Sequence, residues 1–550
     1  MKRRFTLSIV MFAVGAGLLV AAGGFAGDAN SAGDKRGGTL NIESTVDFDH
    51  IDPAYAYFSH TWQMQGATQL RLFEFPDGKT GEAARQLEPR GATGFPRVSK
   101  NGLTYTFTIR GGYKFSNGQP VTAANYLHAI KRILNVKPPS DAVPFLTQDW
   151  AGAQAVADGK GGESPSGVTV KGNTLTIKLT KVAPDLISRL SMPFFSAQPL
   201  SNPLNSEITS GPVHSAGPYY LVSREPNRNA VVNRNPNYKG PRKGMADSMR
   251  WTFGNSPAAQ RLKIERGEAD LGGFPPAEAA ELAQKYGINK SRYFVKPSSV
   301  LWYLAFNHER PLFSGSAGLG NVKLKQAINY AVDRPQISRQ FGYLGGKRTD
   351  QILPPTMAGY QDHNIYPIKG ANPTKGKQLA DNQTRGGKAV FYTFATSFGP
   401  PVAQVVQFNL KQIGVDVEIK TFSRTVQHEK MATRGEPFDI GFEGWGQDYP
   451  DPYNFINVLL DGRRIQSANN QNVAYFNNAG YVAKMERASR LAGKTRYDAY
   501  KALDKDLMQN AAPWAPLVNR TTQIFTSDRI AKWVYQEVYS NTNIVSTELK

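Results

Sequence analysis

Three stretches in the first third of the chain alternate apolar and polar residues with the period of two that a half-buried strand requires. Thr39-Leu40-Asn41-Ile42 is the first, and Asp52-Pro53 soon punctuates the chain, because a residue before proline is pushed out of helical geometry. Over 99–110, Tyr105, Phe107 and Ile109 alternate with Thr104, Thr106 and Thr108, and the preceding Asn101-Gly102 suits a tight turn. Over 168–179, Val168 and Val170 precede Lys171-Gly172-Asn173, then Leu175, Ile177 and Leu179 follow, which predicts a second hairpin. Between the hairpins, Thr122 is placed to cap a helix that buries Leu127, Ile130 and Leu134. These segments read as a small α+β unit of their own.

Helical periods dominate further on. Pro257 and Gly267 bracket a helix over 257–266, each where helix ends favour it. Leu324, Ala327, Ile328 and Ala331 share one face of a helix over 322–333, which ends before Pro335. The spacing then predicts a strand over 388–395 and a helix from about Pro401 to Ile413, terminated by Gly414 in left-handed geometry. Val415, Val417 and Ile419 alternate as a second strand. Such a βαβ unit has parallel strands and a right-handed crossover. A third apolar segment, Phe438 to Phe442, runs into Gly444-Trp445-Gly446-Gln447-Asp448-Tyr449-Pro450-Asp451-Pro452. In open α/β sheets ligands sit beyond the carboxyl ends of the strands. Residues 445–453, read as a loop at such an end, bring an indole, a phenol, two carboxylates and two stiffening prolines.

At 550 residues the chain is long enough for more than one domain, and its 40% hydrophobic content supplies large cores. It contains no cysteine, which excludes disulfides, zinc–thiolate sites and thiol nucleophiles. Lys2, Arg3 and Arg4 precede an apolar or small stretch from Phe5 to Val20, and small residues near Ala26 and Ala32 offer cleavage sites. Residues 1–32 therefore read as an export signal and flexible lead. The alternative is a membrane anchor, but the apolar stretch is short for a span of ~20 residues and glycines interrupt it.

The formal net charge is +21, and +19 once Lys2, Arg3, Arg4 and Asp28 are removed with the leader. The basic residues are scattered singly, with no run of five and no recognition-helix pattern, so nucleic acid is not the expected partner. An anionic lipid or cell-wall surface accounts for the charge. Enzyme signatures fail in detail. Ser215 has Gly217 after it but Val213 where a nucleophile elbow needs glycine. Gly493-Lys494-Thr495 imitates a phosphate loop, yet Ala488 replaces its first glycine and the segment reads as helical. No catalytic residue and no cofactor is expected.

Ten fragments in order carry a family resemblance: Gly38-Thr39-Leu40, Asp52-Pro53, NGLTYTFTIRGGYKFSNGQPVTAANY (101–126), SAGPYYL (215–221), NRNPNYKG (233–240), RLKIERGEADLG (261–272), LAFN (304–307), LKQAINYAVDR (324–334), FDIGFEGWGQDYPDPYNF (438–455) and PWAPL (513–517). Together they resemble the peptide/nickel class of ABC-transporter solute-binding proteins, family 5, over nearly everything after residue 37. The resemblance implies a mixed α/β, two-lobed periplasmic-binding-protein-like fold closing on its ligand. Lobe I would combine about residues 37–78, 200–298 and 515–550, with 79–199 as an extra subdomain, and lobe II would be about 299–514. The crossings would fall near Val300 and Trp514.

Oligopeptide binders of this family hold an extended peptide by main-chain hydrogen bonds. A carboxylate in their GW-x-x-DY segment meets the peptide's amino terminus, a position that corresponds to Asp448. The bland alternative is that Asp448 and Asp451 only cap turns beside Pro450 and Pro452. Trp445, Gly444 and Tyr449 of the same segment, Tyr303 just past the first crossing, Tyr57 and Phe58 after Asp52-Pro53, and Phe422 are the further candidates. The implied role is capture of a peptide, oligopeptide rather than dipeptide, by an exported monomer that delivers it to membrane permease subunits. An oligosaccharide or metal–chelate ligand is the rival within the fold, and a secreted hydrolase the rival outside it. The sequence departs from relatives that carry a lipidated cysteine, since Gly24 follows the apolar stretch, so no cysteine-linked lipid anchor is expected. A nickel-type role needs clustered histidines, and the seven present are far apart.

Overall fold

The computed structural model describes residues 36–315 and 318–550, so the export-signal reading of residues 1–32 lies outside the described residues. Two long strands, Tyr293–Phe306 and Trp514–Thr526, organise the molecule. They run antiparallel and pair twice, with Tyr293–Pro297 against Thr521–Phe525 and Leu301–Ala305 against Trp514–Asn519. Between these stretches Ser298, Ser299 and Val300 face only Arg520. Such an excess of residues on one strand bends and twists the pair. Ser299 is held from outside the ladder: its N–H donates to Ser540 Oγ at 3.1 Å and its Oγ lies 2.7 Å from Thr356 Oγ1.

On one side of this crossing the sheet continues through Leu271–Gly272, Thr39–Ser44, Ser248–Phe253, Asn229–Arg234 and Tyr219–Glu225. On the other it continues through Ile440–Gly446, Lys388–Phe394 and Asp416–Phe422. With Gly346–Arg348, which pairs with Trp514–Thr526 off this path, this makes one sheet of eleven strands, shared between two lobes. The mixed α/β, two-lobed architecture expected from the sequence is therefore present. Trp514 pairs with Ala305 within this sheet, and the break in pairing on the second long strand falls at Arg520.

The βαβ unit forms as its pattern predicts. Lys388–Phe394 and Asp416–Phe422 are parallel neighbours joined by the helix Gly399–Lys411. Gly414, at φ +82°, makes the left-handed exit that a side chain would resist. Val402, Val406 and Leu410 pack on Phe391, Val417, Ile440 and Phe442, each fully buried aliphatic or aromatic side chain contributing roughly 1.5–3 kcal/mol. The third strand extends through Gly446, so Gly444 and Trp445 lie in the ladder opposite Trp302 and Leu301, and the expected loop begins only at Gln447.

The α+β unit is a four-stranded antiparallel sheet covered by the helix Ala123–Asn135. At the helix start the Asn125 side chain accepts the Thr122 N–H at 2.8 Å. Ile130 and Leu134 are buried as expected, while Leu127 is half-buried. Arg132, from the same helix, grips Asp52 of lobe I through both guanidinium nitrogens at 2.7 Å, and neither side chain is exposed. The helix expected over 257–266 is Pro257–Arg266, and the one over 322–333 is Val322–Ala331. Among the described residues no helix is long and apolar enough to cross a membrane.

Candidate functional site: a cavity between the lobes

A cavity of about 840 Å³, within the usual range for ligand sites, opens between the lobes. Asp47, Asp49, Tyr57, Phe58, Trp62, Arg224 and Tyr539 face it from lobe I, and Trp302, Tyr303, Arg424, His428, Glu443, Gly444, Trp445, Gln447 and Asp448 from lobe II. Asp49 positions the first group. Its Oδ2 accepts the backbone N–H of Tyr57 at 2.7 Å and of Phe58 at 2.9 Å, just before the helix Ser59–Thr68 begins.

On lobe II, strand alternation puts Glu443 and Trp445 on one face and Gly444 on the other. A Cβ at Gly444 would lie 2.7 Å from the Trp302 indole, so a glycine is what allows that ring to lie flat on the strand. After Gly446 the chain turns into the helix Tyr453–Leu460, whose Asn454 organises the turn. Asn454 Oδ1 accepts from the Asp448 N–H at 2.9 Å and from Trp445 Nε1 at 3.2 Å, and its Nδ2 donates to Asp448 Oδ2 at 2.7 Å.

The carboxylates of the cavity differ in what neutralises them. Asp47 pairs with Arg224 at 2.8 Å. Burial works to raise the Glu443 carboxyl, but Arg424 and His428 beside it win and hold it at about 2. Asp49 takes two backbone N–H groups and the Thr61 hydroxyl. Asp448 has no ion-pair partner among the described residues. Burial pushes its carboxyl up to about 7, against the hydrogen bonds from Asn454 and Tyr57 and the more distant Arg464, which lower it. Tyr57 Oη donates to Asp448 Oδ2 at 3.1 Å, so both donors fall on one oxygen, and among the described residues no hydrogen bond reaches Oδ1. A carboxylate so placed can receive a cation from the cavity.

The structure brings six of the eight candidates together around the cavity: Asp448, Trp445, Gly444, Tyr303, Tyr57 and Phe58. Tyr57 and Trp445 meet edge-on at 6.2 Å between ring centroids, and Tyr303 stacks on Trp514 at 4.0 Å. Tyr449 and Phe422 are not part of this lining. Tyr449 is fully buried and turns the other way, its hydroxyl donating to Asp185 Oδ2 of the subdomain at 3.0 Å. Phe422 packs edge-on against Tyr392 at 4.9 Å, with Lys430 over its ring. Asp451 also serves structure, gripped by Arg496 at 2.7 and 2.9 Å.

Sequence reasoning missed Trp302, Arg424, His428, Glu443, Gln447 and Asn454. Glu443 carried a signal in its place two residues before Trp445 on a strand, which puts both on one face. Arg424 and His428 reach the site only through the tertiary packing of their helix, Arg424–Ala432.

Hydrogen bonds tie lobe II to lobe I and its subdomain across the cavity: Tyr57 to Asp448, Gln447 Nε2 to the Val538 carbonyl at 2.7 Å, and Tyr453 to Gln148 at 2.6 Å. The protein is thus in a closed form, with a ligand-sized space between two lobes that are joined by crossing strands. These features define a cleft-type binding protein. The chain belongs to the bacterial extracellular solute-binding proteins, family 5, whose sequence model for the middle region matches residues 86–467. It is 26% identical over 491 residues to the oligopeptide-binding protein OppA of Bacillus subtilis, covering 84% of this chain and 85% of that one. It is 28% identical over 488 residues to heme-binding protein A of Haemophilus influenzae, covering 84% of each. Among solved structures, the clavulanic acid biosynthesis oligopeptide binding protein 2 superposes with a TM-score of 0.81 at 22% identity, covering 94% of this chain and 96% of that one. The family and these relatives are binding proteins, so this chain is a binding protein and not an enzyme.

Proposed function

We propose that this chain captures peptides, oligopeptides rather than dipeptides, in the interlobe cavity and hands them to the permease subunits of an ABC importer. The observation that carries this reading is Asp448: a buried carboxylate facing the cavity, held by neutral donors on one oxygen, with the other left for a ligand cation. An ammonium there becomes a buried, hydrogen-bonded ion pair, which is favourable when water is excluded. The name of the Bacillus subtilis relative agrees with a peptide ligand. A cavity of about 840 Å³ leaves room for more than two residues. Tyr57, Trp445 and Tyr303 supply aromatic walls, and the protein works as an exported monomer.

The test is native mass spectrometry of protein purified without denaturation, followed by calorimetry with the peptides it retains. Retained peptides of three or more residues, bound about 2–5 kcal/mol more weakly by Asp448→Ala, are the expected result. An oligosaccharide or metal chelate in the retained fraction, or unchanged peptide affinity in the variant, overturns the reading.

A further inference from the structure

On the outer face of the subdomain's four-stranded sheet, every side chain at a paired position is a hydroxyl or a cation. Tyr105, Phe107, Leu175 and Ile177 point inward to the core under the helix Ala123–Asn135. Alternation therefore turns their neighbours outward. The register sets Thr169, Thr176, Thr106 and Arg97 side by side across all four strands. Lys171, Thr174 and Thr108 form the row on one side of these, and Lys178 and Thr104 the row on the other. Such neighbours stand about 4.8 Å apart across the strands and roughly 6.7 Å apart along them. Arg97, Thr108, Thr169, Lys171 and Lys178 are exposed, and the other four are half-buried. Among the described residues none of the six hydroxyls has a hydrogen-bond partner and none of the three cations an ion-pair partner. No Asp or Glu occurs over residues 89–140 or 164–184, the segments that carry these strands.

Threonine suits an exposed strand on propensity alone, and a basic side chain on an edge strand deters pairing with another sheet. These effects account for the threonines, and for Arg97 and Lys171 on the two edge strands. They leave Lys178, on an inner strand, and the missing carboxylates, since a solvated face ordinarily mixes both signs. We propose that this face docks an anionic polysaccharide of the cell envelope, whose charged groups meet Arg97, Lys171 and Lys178 and whose hydroxyls meet the threonines. Charge complementarity selects a polyanion. A threonine hydroxyl donates and accepts at once, as a sugar hydroxyl does, so the grid suits a glycan better than a chain of acceptors alone. A bilayer is the poorer partner, because surface-bound proteins bury apolar side chains at the headgroup boundary and none stands on this grid. None of the nine residues lines the interlobe cavity, so the inference does not depend on the peptide reading.

The experiment is calorimetry at low ionic strength with polygalacturonate as the anionic glycan, dextran as an uncharged one, polyglutamate as a polyanion without sugars, and phosphatidylglycerol vesicles as a membrane. Wild-type protein is expected to bind polygalacturonate, to ignore dextran, and to bind polyglutamate and the vesicles more weakly. Replacing Arg97, Lys171 and Lys178 together by Gln should weaken polygalacturonate binding roughly 5- to 50-fold, the sum of three exposed ion pairs. Replacing Lys375, Lys377 and Lys411 of lobe II by Gln removes the same charge elsewhere and should leave binding within about twofold. Thr106→Val with Thr176→Val keeps every charge and the branched shape, and should weaken polygalacturonate roughly 5- to 20-fold, the range for two modest hydrogen bonds, while sparing polyglutamate. Equal losses in the two charge variants overturn the proposal, because net charge alone would then be at work. No binding of polygalacturonate, or equal binding of polyglutamate with no effect of the threonine variant, also overturns it, and preference for the vesicles assigns the face to a membrane instead. Should a variant fail to fold, acetylation of wild-type lysines read by mass spectrometry still decides. Polygalacturonate is expected to shield Lys171 and Lys178 but not Lys375 and Lys377, and equal shielding of all four counts against the proposal.

Discussion

The anchor should make peptide affinity depend on pH in a way that can be worked from the structure. In the empty protein Asp448 titrates at about 7, because burial disfavours its charge and no cation offsets it. An ammonium binds the carboxylate and not the acid, so below about pH 7 each unit of acidification should cost roughly tenfold in affinity. Between pH 7.5 and 5 the loss should be on the order of 10²-fold, about 2.5 kcal/mol. Above pH ~8 affinity should fall again, because a free α-amino group titrates near 7.7–8. The profile is a bell with its maximum near pH 7.5. At pH 6 binding should release close to one proton, seen as a dependence of calorimetric enthalpy on the ionisation enthalpy of the buffer. Asp141, raised by burial to about 6 among His428, Asp49 and His50, titrates in the same window. The variant Asp448→Asn separates the two, since it should lose the acid limb near 7 and retain only what Asp141 contributes. A flat affinity from pH 5 to 7.5, or the same acid limb in Asp448→Asn, refutes the assignment.

Three further outcomes follow from the same geometry. Without ligand the sign reverses: a carboxyl raised above its unfolded value leaves the fold unpenalised below about pH 4 and costs stability as pH rises to 7, so Asp448→Asn should raise the unfolding free energy of the empty protein, measured in urea, by up to about 4 kcal/mol at pH 7.5 and not at pH 4. Tyr57→Phe removes one of the two donors that hold the Asp448 charge, so the acid limb of binding should move to higher pH, and small-angle scattering should show the empty protein shifted toward a more open form. Arg132→Met leaves Asp52 charged and buried without its partner, which should cost about 3–5 kcal/mol in urea unfolding while leaving the pH profile of binding in place.

The lobes' strands were legible because their apolar periods are short and clean: Val415, Val417 and Ile419 alternate in sequence and the strand lies where they do. Asp448 was legible through the GW-x-x-DY segment that carries it. Its neighbours were harder, for physical reasons that differ. Tyr449 and Asp448 are adjacent, yet beyond the strand alternation no longer dictates direction, and the phenol turned to Asp185 while the carboxylate turned to the cavity. Phe422 ends a strand whose tip packs on Tyr392, and periodicity cannot say which edge of a sheet borders a cleft. Asn454 carries no local signal, because its three hydrogen bonds to Trp445 and Asp448 exist only once the turn has brought the helix Tyr453–Leu460 back beneath the strand. The break in pairing at Arg520 carried no sequence signal, because a continuous strand hides a change of register.

Closure over an empty cavity sets polar gains against polar losses. The bonds from Tyr57 to Asp448, from Gln447 to Val538 and from Tyr453 to Gln148 each contribute about 0.5–1.5 kcal/mol net. Against them, Gln447 Oε1 and Trp302 Nε1 are buried without partners, at about 1–3 kcal/mol each, and the Asp448 carboxyl is raised by burial. These polar terms by themselves therefore do not favour closure over an empty cavity. Moving such an equilibrium from 1:99 to 99:1 takes a ligand that prefers the closed form by about 5.5 kcal/mol. A guest that supplies an ammonium to Asp448 relieves one of these losses without disturbing the gains. The unpaired Asp448 carboxylate thus favours closure over a cationic guest.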